Sequence, residues 1–329
     1  MAQSSSAALV SREELENRIA RVRAGCVDPA AGIYGPGSVS WRIGKEGILF
    51  LGGGRAALLQ LAHPWVAHAV EQHSHARHDP LGRFRRTFDA VFAMVFGDLE
   101  RALRSARRVH AIHERVQGVL DEDVGAFARG DAYRANEAHA LLWVHATLLD
   151  SAIQAYDLVV RPLSDSERNE YYEESKRFAS LFGIPDSVLP ADYAAFRRYF
   201  DEMLASDLIS VGRPALELRR FLFASKRRAQ RKLFRWLELM TAGLMPERLR
   251  DEFQLTFGAR EQRWFRASLA ALRFTYPHIP PRLRYVPAYV VARRRLAGKR
   301  GPDRVGAWLE RLALFAIDTG VDEKSQRDG

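Results

Sequence analysis

Apolar positions recur three and four residues apart along most of this chain. Capping signals open several of the segments, and convincing alternating stretches are few. Together these predict an all-α chain folded as one mostly helical domain over residues 1–329. Ser11 followed by Glu14 is a capping box, so a short polar helix opens there and runs to about Arg23. Two prolines and three glycines between Asp28 and Gly37 make a loop. Trp41 to Phe50 reads as a strand or an irregular entry, and Arg55 to His63 as a helix that reaches Pro64. A histidine-rich loop follows from Gln72 to Asp79. Asp79-Pro80 then pairs an N-cap with proline at the first helical position, for a helix running to Gly97. The next helix is expected from about Asp98 to Gln117, with Gly118 as its C-cap. Further helices are expected over Glu137–Val160, Ser166–Phe182, Tyr193–Ala205, Ala215–Ala242, Glu247–Phe257 and Ala259–Phe274. Pro277, Pro280 and Pro281 form a turn, and Val305–Thr319 is a last helix before Gly320. The core is expected over about 41–290, with 1–40 as an N-terminal extension and 320–329 as a frayed polar tail.

Composition narrows the function classes. With 47% hydrophobic and 27% charged residues the chain is neither disordered nor fibrous. Its one cysteine, Cys26, excludes an internal disulfide framework, a thiolate zinc site and an iron–sulfur cluster. Fifty basic against forty acidic residues give a net charge of +10, which favours anionic partners or ligands. The longest apolar stretch, Ile48 to Val70, is broken by Arg55, Gln60, His63 and His68 and does not read as a membrane span. The first residues carry no leader pattern, so a cytoplasmic location is expected.

The candidate chemistry starts in the segment from Asp98. Leu99, Ala102, Leu103, Ala106, Val109, Ile112 and Val116 make its apolar stripe, and His113 falls within it. A buried imidazole needs partners for its ring nitrogens, either hydrogen bonds to neighbours or a metal or haem iron on one nitrogen. His110 lies at the stripe's edge, as a supporting group or a surface residue. In the preceding helix Leu81, Phe84, Phe88, Val91, Phe92 and Val95 form the stripe, with Arg83 and Thr87 along its margin. Arg86 points more than a right angle away. A cation and a hydroxyl beside an aromatic wall suit a polarised oxygen ligand or a propionate, or the arginines simply reach to solvent. His68, His73, His75 and His78 crowd one stretch and could bind zinc or a di-metal pair, but no Glu-x-x-His pair and no second His/Asp/Glu cluster of matching spacing supports it. Gly52-Gly53-Gly54-Arg55 shares only its glycines with a phosphate loop, and no Gly-x-Ser-x-Gly elbow is present.

Four strings occur in order: GGGRAALLQLAHPWVAHAVEQHS from Gly52, DPLGRFRRT from Asp79, RRVHAIHERVQG from Arg107, and LLWVHATLLDSAIQAY from Leu141. Their combination resembles the MpaB-type oxygenase family, which includes bacterial rubber oxygenase. The resemblance runs from about Trp41 to Pro190 and more loosely through the later helices. It implies a helical fold with a globin-like core that holds haem b without covalent attachment. It also implies that His113 is the proximal iron ligand. Where the family has arginines around that histidine, this chain has His110 and Gln117. The family's distal Arg-x-x-Lys-Thr falls on Arg83, Arg86 and Thr87, and arginine does not coordinate iron as a lysine amine can. A family glutamate acting as base is matched to Glu71. His63 and His145, inside the first and last strings, are expected beside the cofactor.

The expected function is a haem-dependent oxygenase that uses dioxygen on a small apolar, unsaturated, isoprenoid-like substrate. A non-catalytic haem carrier or gas sensor would share the pocket without a substrate channel. A third reading is a basic binding module, because Arg219, Arg220, Lys226, Arg227, Arg228, Arg231, Lys232 and Arg235 interleave with Phe221, Phe223 and Phe234. No nucleic-acid motif accompanies that charge, so nucleic acid is not expected and peripheral membrane contact is the partner such a stripe suggests.

Overall fold

The structure is a computed structural model that describes residues 9–73, 80–224 and 230–299; within 80–85 it describes the backbone only. Helices dominate it. At its centre is α7 (Ala138–Val159), apolar on nearly every side, as a helix enclosed by others must be. Leu141, Leu142, Trp143, Ala146, Leu149, Ile153 and Ala155 are all buried along it. On α7 pack α3 (Gly53–Leu61), α8 (Asp165–Leu181) and the 3-10 segment Gly47–Gly52. Trp143 donates its indole N–H to the Leu59 carbonyl at 2.9 Å, which pins α3 to α7.

The glycines before Arg55 serve packing rather than phosphate. A Cβ on Gly52 would stand 2.6 Å from the Ser151 carbonyl oxygen, and one on Gly54 only 2.2 Å from Thr241 Oγ1. The 3-10 segment and α3 can therefore lie directly against α7 and α11 (Arg231–Leu244).

Helix α1 (Arg12–Ala24) opens with the expected capping box: Glu14 N–H donates to Ser11 Oγ at 3.2 Å, and Ser11 N–H donates to the Glu14 carboxylate at 2.7 Å. Trp41–Phe50 is not a strand. It holds α2 (Val39–Gly44), capped by Ser38, and then enters the 3-10 segment. The Trp41 indole donates to the Val95 carbonyl at 2.9 Å, a tertiary tie that no local pattern displays. Pro64 starts a separate helix, α4 (Pro64–His73), which takes in Gln72 and His73; the rest of the expected histidine loop, 74–79, lies outside the described residues.

Helices α5 (Pro80–Phe96) and α6 (Leu99–His113) form an antiparallel hairpin around Gly97-Asp98, with the Asp98 carboxylate capping α6 through Arg101 N–H at 2.8 Å. The expected continuation to Gln117 with a cap at Gly118 does not form. Successive tight turns (Arg115 N–H to Ile112 carbonyl, Val116 N–H to His113 carbonyl) lead into β1 (Gln117–Val119). This strand pairs antiparallel with β2 (Ala132–Arg134), Gly118 opposite Tyr133. The expected single helix Ala215–Ala242 is α10 (Arg213–Leu222) and α11, and residues 225–229 between them lie outside the described residues. Between α8 and α10 stands α9 (Tyr193–Ala205). After α11 come α12 (Glu247–Glu252, shorter than expected), α13 (Ala259–Thr275), α14 (Pro281–Arg284) and α15 (Pro287–Leu296). The helix expected at Val305–Thr319 lies outside the described residues.

Candidate functional site: the open end of the α5–α6 hairpin

The Ser105 hydroxyl donates to the Ala90 carbonyl at 3.3 Å and sets the register of the hairpin. Near the turn the interface is closed: Met94, Leu103 and Ala106 are fully buried. Residues seven apart in a helix share a side. Ile112 therefore continues the α5-facing side of α6 from Ser105, and Thr87 continues the side of α5 that carries Met94. Yet Ile112 is 53% exposed and Thr87 is exposed as well. The two helices are sealed near their connecting turn, and toward the free end Ile112 and Thr87 are exposed.

His113 stands at that end, as the last residue of α6, half-buried. The expectation that His113 and Ile112 lie within the buried stripe is corrected here. The stripe runs Leu99, Ala102, Leu103, Ala106 and then His110, which is 4% exposed. Both histidines satisfy the three-and-four spacing from Ala106. Only the place where the helix stops separates them. Neither ring nitrogen of His110 makes a hydrogen bond, although Nε2 lies 3.4 Å from the Glu114 carboxylate. By the register Arg83 stands level with Ile112, one residue from His113. Its side chain is outside what the structure describes, and Arg86 is exposed. Phe50, Phe88 and Phe92 make an aromatic wall on another side of α5, with ring centroids 4.9 to 6.0 Å apart.

Helix α4 reaches the same region. Gln72 donates to the Val119 carbonyl at 3.1 Å and His73 Nε2 to the Gln117 carbonyl at 2.9 Å, binding α4 to the strand that follows His113. Glu71 pairs with Arg213 at 3.1 Å, and Arg213 also holds Asp121 at 2.5 Å. His68, fully buried, lies between the Pro64 carbonyl at 2.9 Å and Asp121 Oδ1 at 3.0 Å. The ring thus bridges α4's own first turn and the Asp121 carboxylate. Burial opposes the Asp121 charge, but the His68 hydrogen bond and the Arg213 guanidinium outweigh it and hold its carboxyl below the usual range. Glu122, 3.8 Å from His68 Nε2, completes a donor set of metal-ligand type, but it already accepts the Arg213 backbone N–H at 2.9 Å. The four crowded histidines thus divide: His68 turns inward, His73 ties α4 to β1, and His75 and His78 lie outside the described residues.

The family model described as ER-bound oxygenase mpaB/B'/rubber oxygenase, catalytic domain, matches residues 41–274, from Trp41 in α2 to Phe274 in α13. The chain belongs to this family. Two relatives, the uncharacterized proteins Mb2261 of Mycobacterium bovis and Rv2237 of Mycobacterium tuberculosis, are each 26% identical over 236 residues, 68% of this chain and 88% of theirs. No solved structure matches the chain.

Within this MpaB and rubber-oxygenase family member, the other two expected histidines sit in clusters of their own. His63 packs against Trp65 and Phe127, centroids 5.8 and 5.6 Å away, and burial pushes its pKa down to about 4. His145 lies 5.9 Å from the Phe178 ring with Nε2 3.4 Å from Ser175 Oγ, and burial likewise pushes it down to about 4. Both are neutral at pH 7, and each leaves Nδ1 without a hydrogen bond. The residues that sequence reasoning missed are Arg55 and Asp150, a buried pair joining the first and last family strings at 2.7 Å. An arginine inside an apolar run and an aspartate inside the most apolar helix were the available signal, since each buried charge requires the other.

Proposed function

We propose that this oxygenase-family protein uses haem b, held by His113, to add dioxygen across the double bond of an apolar substrate. The free end of the α5–α6 hairpin supports the reading: the half-buried His113 adjoins an exposed apolar side chain, Ile112. The donor set fits the group. His113 would be the residue that holds the iron, and the exposed Ile112 beside it would offer an apolar surface to the macrocycle. Bound there, haem supplies activation of dioxygen.

The chain's own residues do the rest. Closure of the hairpin around Met94, Leu103 and Ala106 holds α5 and α6 at a set register, which keeps His113 opposite the first turns of α5. Arg86 and Thr87, both exposed, stand on α5 toward the same end of the hairpin. Glu71 pairs with Arg213, so it would serve as a base only with that pair opened. In the overall reaction one C=C bond and one O2 give two carbonyl fragments, so no external electron donor enters the balance.

The purified protein should show a Soret band that His113→Ala removes and added imidazole restores, and it should consume dioxygen with an isoprenoid alkene. An unchanged band in His113→Ala refutes the ligand assignment. Intact haem without turnover on alkenes refutes the oxygenase reaction and leaves a haem carrier.

A further inference from the structure

We infer that the outward face of α13 docks the protein on an anionic lipid surface. The inner side of this helix is occupied: Phe265, Leu269 and Leu272 join Met240, Leu244 and Leu51, and Trp236 donates to Ser268 at 3.1 Å. The opposite side carries Arg260, Arg263, Trp264, Ala267, Ala270, Ala271 and Phe274, every one exposed. Trp264 is 60% and Phe274 76% exposed. The wheel places Ala267 and Phe274 farthest from the core, Trp264 and Ala271 to one side of them, and Arg260 and Arg263 within the same arc.

The charge on this helix is one-sided. Its acidic residue, Glu261, is turned back to accept the Gly258 N–H at 3.1 Å, and among the described residues no carboxylate pairs with Arg260, Arg263 or Arg266. A second copy of the chain is a poor occupant, because two such faces would set arginine against arginine. A nucleic-acid strand would lay its phosphates along an uncharged line of alanine and phenylalanine. A bilayer with anionic headgroups satisfies both components at once: arginines at headgroup depth, and Trp264 and Phe274 just below. The inference does not rest on the haem reading.

The test uses the full chain and vesicles of phosphatidylcholine with or without phosphatidylglycerol. Co-sedimentation is expected with the anionic vesicles alone, weakening as salt rises. Trp264→Ala with Phe274→Ala should lower the partition coefficient about tenfold or more. Arg260→Glu with Arg263→Glu should abolish binding, while both variants keep the wild-type melting temperature because all four side chains are exposed. Brominated lipid should quench tryptophan fluorescence in the wild type and far less in Trp264→Phe. Failure to sediment, or binding indifferent to both double variants, overturns the proposal. It is equally overturned if the aromatic pair instead abolishes dimerisation or the retardation of an oligonucleotide.

Discussion

Arg55 and Asp150 meet at 2.7 Å with both side chains at most 8% exposed, one on α3 and the other on α7. Arg55 also donates to Ser151 Oγ at 2.8 Å and to the Leu244 carbonyl at 3.0 Å, so one guanidinium ties three helices together. Burial lowers its pKa, and the Asp150 carboxylate works against that loss. Asp150→Ala would strand a buried cation and should destabilise the fold by about 3–5 kcal/mol. Arg197, the outer partner of Asp150, is 36% exposed and has Asp201 as well. Arg197→Ala should therefore change stability by about 1 kcal/mol or less. Urea unfolding of the two variants checks the contrast, and equal losses would show that Arg55 does not depend on Asp150.

The close approach of α3 and α11 leads to a second expectation. Gly54→Ala would place a methyl 2.2 Å from Thr241 Oγ1, with the Thr241 Cβ itself 3.3 Å away. Overpacking of this kind costs about 1–3 kcal/mol. Thr241→Ala in the same chain should return part of that loss, a coupling visible in a double-mutant cycle of melting temperatures. Simple additivity would mean that the helices separate instead.

What could be read from the residues alone follows a physical division. Signals confined to a few neighbours were legible: the Ser11–Glu14 box, the helix start at about Asp98 and the long helix expected over Glu137–Val160 all stand where expected. Features fixed by distant contacts were not. The three-residue strands Gln117–Val119 and Ala132–Arg134 are too short to show alternation, and they end α6 early by pulling the chain toward Gln72 and His73. His110 and His113 fit the same spacing, so periodicity alone could not tell which of them is buried. Arg55 and Asp150 were both visible as charges in apolar surroundings. Their partnership spans ninety-five positions and has no local signature. The glycines before Arg55 looked like a loop motif because composition does not reveal that Ser151 and Thr241 press against them.

Acid should unfold the protein along a slope set partly by two buried imidazoles. His63 and His145 have pKa values of about 4 in the folded state against about 6.5 unfolded. Between those values the unfolded chain binds more protons, so stability is full above pH 6.5 and falls as pH drops toward 4. Each contributes on the order of 3 kcal/mol to that fall. His63→Gln with His145→Gln should flatten the dependence of urea midpoints between pH 7 and 4. An unchanged slope would show that both rings take up protons alike in the folded and unfolded chain.

The haem reading separates cofactor binding from stability at one residue. Ile112 is 53% exposed, so Ile112→Glu should move the unfolding free energy by about 0.5 kcal/mol or less. If an apolar macrocycle rests against that side of α6, the same carboxylate puts an unpaired charge against it, and haem should be retained poorly. Titrating apoprotein with hemin gives the affinity, and a urea melt of the apoprotein gives the stability. Ala106→Glu is the contrasting variant, because Ala106 is fully buried in the closed part of the hairpin and the charge should unfold the apoprotein outright. An Ile112→Glu protein that binds hemin like the wild type would exclude a cofactor from the face beside Ile112 and leave His113 without its proposed role.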